Sequence, residues 1–138
     1  MGRLLAIDYG NKRVGLAISD PMQIIAKPFK TILHSDNQNL LDKIKMIIIN
    51  EKIKGIILGL PLNMQGNKTK QTNLGIEFSD YLKENLDIPI MMQDERLSSV
   101  SAKKSLIKQK VKTGHNKARI DETAAAIFLQ QYLDRKRL

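Results

Sequence analysis

Leu4-Leu5-Ala6-Ile7-Asp8-Tyr9-Gly10, near the start of the chain, decides how the rest is read. Its apolar residues predict a buried strand that delivers one carboxylate at its end, followed at once by a glycine turn. The turn leads into a second strand-like run, Arg13-Val14-Gly15-Leu16-Ala17-Ile18-Ser19. Alternation on a buried strand favours an apolar side chain at position 8. An unpaired buried charge is costly, so Asp8 implies a cation, a metal or a hydrogen-bond donor beside it. The chain as a whole carries a formal net charge of +9. An acidic site inside a basic protein suggests a metal held against a polyanion.

Outward from this stretch, strands are expected at about 3–9, 13–20 and 24–33. The short turns Gly10-Asn11-Lys12 and Asp20-Pro21-Met22 make them an antiparallel meander. The period then changes, with Leu40, Leu41, Ile44, Ile47 and Ile48 on one face of a helix over 39–50. Gly55–Leu60, GIILGL, reads as a buried parallel strand ended by Pro61, and the segment from Pro61 to Gly66 as a loop. Leu74, Phe78, Tyr81 and Leu82 define a helix over about 70–86, and Ile90–Gln93 a last strand. A third helix is expected from Ser98 or Ser99 to about Lys110, a polar and mobile loop over 111–118, and a last helix over about 119–135. That helix would turn Ile120, Ala124, Ile127, Phe128 and Tyr132 inward. The order βββαβαβαα implies an α/β fold, a mixed sheet with helices on its faces.

The 138 residues make one domain, 1–138, with 42% hydrophobic and 27% charged residues, as in an ordinary soluble globule. Without cysteine, disulfides and thiolate metal sites are excluded. No signal peptide or membrane span is visible, so the expectation is cytoplasmic, with no membrane partner. From Val100 to Arg119 there is no acidic residue, while Lys103, Lys104, Lys108, Lys110, Lys112, Lys117 and Arg119 are basic. Such a run is either a solvated face or a phosphate-binding surface, and a neighbouring metal site favours the second.

Three acidic positions lie where apolar elements end: Asp8, the pair Asp94-Glu95, and Asp121 ahead of Thr123-Ala124-Ala125-Ala126. Sites in α/β sheets form at the carboxyl ends of strands, so Asp8 and Glu95 can share a rim. The small residues after Asp121 let its helix approach the same rim. Three carboxylates at one point need a cation, and hard oxygen ligands select Mg²⁺ or Mn²⁺. Taken singly, Asp121 can serve a helix dipole and Glu95 can pair with Arg96.

Four motifs in order then resemble one family. They are Ile7-Asp8-Tyr9-Gly10 with Arg13-Val14-Gly15, Gly59–Gly66 (GLPLNMQG), Asp94–Ser99 (DERLSS) and Ile120–Ala126 (IDETAAA). Together they are similar to the YqgF (RuvX) family, ribonuclease-H-like proteins regarded as Holliday-junction-resolvase homologues and as nucleases maturing the 5′ end of 16S ribosomal RNA. The resemblance covers nearly the whole chain. It implies a ribonuclease-H-like fold with a five-stranded mixed sheet, the first three strands antiparallel and helices on both faces. It implies Asp8, Glu95 and Asp121 as catalytic acids and metal ligands, with Asp94 less defined and Glu122 incidental. It further implies two Mg²⁺ ions clamping the scissile phosphate, one generating hydroxide and one stabilising the leaving oxygen.

Around these acids, Lys12 and Arg13 flank the first turn, Asn63 lies in the loop after the central strand, and Arg96 follows Glu95. With Lys103, Lys104, Lys112, His115, Lys117 and Arg119 they are the candidate nucleic-acid contacts. His34 reads as a strand-end residue. Three Tyr, three Phe and no Trp make a base-stacking platform improbable, so recognition rests on backbone shape and charge. The expected substrate is a structured RNA precursor, with branched DNA as the alternative. A resolvase acting symmetrically would need a dimer, so a monomer or weak homodimer is expected. Two other classes compete. An actin- or sugar-kinase-like phosphotransferase needs two such domains. A non-catalytic binding module would gain nothing from three acids that repel phosphate.

Overall fold

The computed structural model describes residues 2–10, 12–60, 69–94 and 117–136, with positions 60, 71, 94 and 117–121 described by their backbone. The strands are β1 (Arg3–Tyr9), β2 (Arg13–Ser19), β3 (Ala26–Leu33), β4 (Ile53–Leu60) and β5 (Ile90–Asp94). Among the described residues there are three helices: α1 (Asn37–Glu51), α2 (Lys70–Asn85) and α3 (Lys117–Lys136). The strands form one sheet in the order β3-β2-β1-β4-β5. β1 pairs antiparallel with β2 and parallel with β4, while β3 extends the antiparallel half and β5 the parallel half. This is the expected meander followed by crossovers. The expected helix over 98–110, the loop 61–66 and residues 111–116 lie outside the described residues.

Strand alternation divides the core in two. Leu5, Ile7, Val14, Leu16, Ile18, Ile56 and Leu58 face one side, where Leu40, Leu41, Ile44 and Ile47 of α1 and Phe78 and Leu82 of α2 close over them. Leu4, Ala6, Ala17 and Ile57 face the other, against Ala125, Phe128, Leu129 and Leu133 of α3. Ala6 lies directly opposite Ala17, and both are fully buried, as is Ala125. These methyl groups are the smallest side chains in the interface between α3 and the sheet. Each of the larger side chains so enclosed contributes roughly 1.5–3 kcal/mol by leaving water.

Local chemistry moves several boundaries. Asp36 caps α1, its carboxylate accepting from the Asn39 N–H at 2.7 Å, so the helix starts at Asn37 rather than 39. Its C-cap Lys52 is left-handed, with φ 55°, and β4 begins directly after it at Ile53 rather than Gly55. Thr69 and Thr72 form a reciprocal capping box at the start of α2. α3 begins at Lys117, so Lys117 and Ala118 belong to a helix rather than to the expected loop. Its inward face is also rotated from the expected one. Leu129 and Leu133 are fully buried, while Ile127 and Tyr132 are only half-buried, because Ala125 and Phe128 set the angle against Ala6 and Ala17.

β3 begins at Ala26, two residues later than expected, and Asp20 is the reason. Its carboxylate accepts from the N–H groups of Ile24 at 2.7 Å, Ile25 at 2.9 Å and Met22 at 3.3 Å, bending residues 20–25 into a tight loop. Hydrogen bonds from Ile25, Ile24 and Met22 hold the Asp20 carboxyl below its ordinary range. A lowered folded-state pKa adds stability that is complete above the unfolded value of about 3.9 and is lost as pH falls through the folded one. Asp20→Asn should therefore melt lower than wild type at pH 7, with the gap closing as pH falls below the unfolded value. A gap of constant size across a melting series from pH 7 to pH 2 would assign the loop's stability to something other than this charge.

Candidate active site

Asp8 lies one residue before the end of β1, the central strand, and is half-buried. It shares the face of Leu4 and Ala6, the one that α3 covers. Its partner on β2 is Gly15, and on β4 it stands level with Gly59, which follows Leu58, the partner of Ile7. No side chain of the two neighbouring strands therefore flanks the carboxylate in its own row, the pattern found where a ligand or another backbone comes close. Gly15 pairs in turn with Thr31 of β3, and Gly59 with Gln93 of β5. Thr31–Gly15–Asp8–Gly59–Gln93 is one row across the sheet.

α3 is fastened to this row at its outer end. The Thr31 hydroxyl donates to Glu122 Oε2 at 3.2 Å, joining β3 to the helix one residue after Asp121. Glu122, expected to be incidental, thus ties the first turns of α3 to the row that holds Asp8. Further along the helix, Gln130 accepts from the Ala26 N–H at 2.8 Å and donates to the Ile24 carbonyl at 2.9 Å. These two attachments fix how the helix lies on the edge strand. Asp121 is described by its backbone, in the opening turns of α3 with Lys117 and Arg119. Glu95, Arg96, Asn63, Lys103, Lys104, Lys112 and His115 lie outside the described residues. Among the described residues no three His, Cys, Asp or Glu side chains converge on a metal position. The donor set that the sequence supplies for one is oxygen only, with Asp8 at its described end, and it fits a hard divalent ion.

The turn after Asp8 is held by residues that the sequence did not single out for it. A Cβ on Gly10 would meet the Arg13 carbonyl at 2.5 Å, so the turn admits only glycine there. His34, just beyond β3, donates its backbone N–H to the Lys12 carbonyl at 2.8 Å and sets Nδ1 3.2 Å from the Gly10 carbonyl. A carbonyl only accepts, so Nδ1 carries the proton. Nε2 lies 3.1 Å from Asn37 Oδ1, to which the Tyr9 hydroxyl donates at 3.1 Å. Burial, and then the Glu77 carboxylate, raise the Tyr9 phenol above its ordinary value and keep it a donor. The Tyr9 ring stacks on Phe78 at 4.4 Å and meets His34 at 5.2 Å, linking the turn to the core.

His34→Ala should lose about 1 kcal/mol, a few degrees in Tm, and speed hydrogen exchange at the amide of residue 34. His34→Asn, whose amide nitrogen sits near the place of Nδ1, should recover much of both. Identical exchange in all three proteins would remove the ring from the clamp. Exposed Lys12 and half-buried Arg13 lie at the end of this turn, on the hairpin that Asp8 leads into.

A family model described as "RuvX: Holliday junction resolvase" matches residues 2–135. The chain belongs to the RuvX family. Among RuvX relatives, a protein of Roseiflexus sp. named "Putative pre-16S rRNA nuclease" is 40% identical over 136 residues, covering 99% of this chain and 96% of that one. One of the same name from Maridesulfovibrio salexigens is 40% identical over 133 residues, covering 96% and 98%. In three dimensions the RuvX chain is similar to RuvC of T. thermophilus, solved in complex with a Holliday junction substrate. The TM-score is 0.57 at 9% identity, covering 99% of this chain and 96% of that one. The fowlpox virus resolvase, in complex with Holliday junction DNA, gives 0.55 at 14% identity, covering 97% and 98%. At these identities the likeness is one of fold, the RuvC and ribonuclease-H-like fold. No helix among the described residues is long and apolar enough to cross a membrane.

Proposed function

We propose that this chain is a metal-dependent phosphodiester nuclease that processes the 5′ end of the 16S ribosomal RNA precursor. The observation that carries the reading is Asp8, half-buried between two glycines on the central strand, on the face to which Thr31 and Glu122 fasten the helix bearing Asp121. Asp8, Glu95 and Asp121 would hold Mg²⁺ or Mn²⁺. When bound, two such ions would supply Lewis-acid charge at the phosphate and an activated water. The protein's own part is to keep the acids in register, which the β1–β2–β4 pairing and the His34 clamp do for Asp8. Lys12 and Arg13, with Arg96 and the basic run Lys103, Lys104, Lys112, His115, Lys117 and Arg119, would meet the phosphates of the strand, and the loop at Asn63 would approach it through backbone N–H groups.

The names of the relatives favour RNA. A second reading, cleavage of four-way DNA junctions, is favoured by the family's description and by the fold shared with two resolvases. The test offers purified protein with Mn²⁺ or Mg²⁺ a precursor 5′-end fragment and a four-way junction in parallel. Metal-dependent cleavage of the fragment alone supports the first reading, and of the junction alone the second. Cleavage of neither, in protein shown to be folded, would overturn both.

A further inference from the structure

At the β5 end of the row that holds Asp8, an open cleft of about 350 Å³ lies between β5 and the end of α3, lined by Gln93, Tyr132, Arg135 and Lys136. Gln93 is only 4% exposed, and its Nε2 has no hydrogen-bond partner among the described residues. Its orientation is not arbitrary. Arg135 donates to Gln93 Oε1, and a guanidinium can only donate, so the amide nitrogen must be the other, unpartnered end. A buried donor left unsatisfied is costly, and an arriving acceptor would return that cost.

The two cations beside it are held by neutral groups. Lys136 donates to Gln23 Oε1, and Gln23 is anchored by its own Nε2, which donates to the Gly2 carbonyl at 2.8 Å. Carboxamide oxygens fix the positions of Arg135 and Lys136 without cancelling their charge. Among the described residues no carboxylate forms an ion pair with either. The Tyr132 hydroxyl donates to Met91 Sδ at 3.0 Å, a weak acceptor that a better one would displace. Basic residues in a last turn also complement a helix dipole. That accounts for Arg135 and Lys136 but not for the orphaned amide that one of them orients.

We propose that Gln93, Arg135, Lys136 and the Tyr132 hydroxyl form a phosphate subsite for the backbone of the substrate strand, set apart from Asp8 across the sheet. The proposal rests on the nuclease reading above. Among the described residues, each that lines the cleft carries a proton donor, so its ligand is an anion rich in acceptor oxygens. The position selects the source. Gln93 stands level with Gly59, which stands level with Asp8, so the subsite lies two strand spacings, about 10 Å, along the same face. One strand can occupy both, and the open shape suits a chain passing through rather than an enclosed small molecule.

The test is a binding measurement on the full chain without metal, using a single-stranded RNA fragment and, separately, inorganic phosphate. Arg135→Gln with Lys136→Gln should bind the RNA roughly tenfold more weakly and lower the log–log salt slope by about 0.7 per lost contact. In wild type, the side-chain amide resonance of Gln93 should move on RNA addition, and in the double variant it should stay still. An unchanged slope overturns the subsite, as does a Gln93 resonance indifferent to RNA. A resonance that responds to inorganic phosphate and not to RNA overturns the assignment to the substrate strand. Binding is read without turnover, so the two readings fail separately. Wild-type cleavage by Asp8→Asn would sink the catalytic assignment while leaving the salt slope untouched.

Discussion

Asp8→Asn is expected to reduce cleavage by roughly 10³-fold or more while leaving the fold intact. The amide has the size of the carboxylate and suits the same half-buried place between Gly15 and Gly59, but lacks the charge with which Asp8 would hold a metal on the proposed reading. Removing one of several like charges should hold or raise the melting temperature without metal. Added Mn²⁺ should raise Tm in wild type, because a ligand bound by the folded state alone stabilises it, and should do so much less in the variant. Glu95→Gln and Asp121→Asn should give losses that do not add to this one, since the three would act as a unit. Wild-type turnover by Asp8→Asn would remove this residue from the centre. Lost turnover with an undiminished metal-induced Tm shift would leave Asp8 out of the ligand set.

Phe78→Ala should have the largest effect on stability. Phe78 is fully buried between the sheet and α1, and its ring stacks on Tyr9 at 4.4 Å. Truncating a buried phenylalanine costs about 3–5 kcal/mol, part transfer and part cavity. For a domain of this size that lowers Tm by roughly 10 °C or more. The loss should also reach function, because Tyr9 follows Asp8 and loses the surface that orients it. Phe78→Leu, which fills most of the volume, should recover most of the stability but little of the aromatic contact. The measurement is thermal unfolding beside cleavage at a temperature where all three proteins are folded. A Tm loss below about 1 kcal/mol equivalent would mean the site collapses around the smaller side chain.

What was readable beforehand follows the range of the forces involved. Period and punctuation are local, so the strands, the two crossover helices and the carboxylate at the end of β1 could be read from neighbours in sequence. The start of β3 escaped because a side chain, Asp20, competes with the ladder for the N–H groups of Ile24 and Ile25. The rotation of α3 escaped because all its candidate faces are apolar enough, and the choice falls to alanines on β1 and β2 about 110 residues away. The same holds for the site. Asp8 was legible as a charge out of pattern. His34 was not legible as a clamp, since its partners lie 24 residues back at Gly10 and three ahead at Asn37, and only strand pairing brings them together. Glu122 meets Thr31 across 91 residues. No motif encodes such a contact.

That distance has a consequence in time. The hairpins and crossovers on the α1 and α2 side close with short loops and can form as soon as β4 and α2 are available. The other face waits for α3, whose attachments to β3 span 91 to 106 residues. Contacts of such separation carry the greatest entropy of closure and are gained late. During synthesis, α3 also leaves the ribosome after every strand of the sheet. The half of the protein that Asp121 belongs to is therefore expected to assemble last, on a scaffold already holding Asp8 at its place. On the proposed reading, a chain made only as far as β5 would hold Asp8 in place before Asp121 has been synthesised, so cleavage would wait for the last helix.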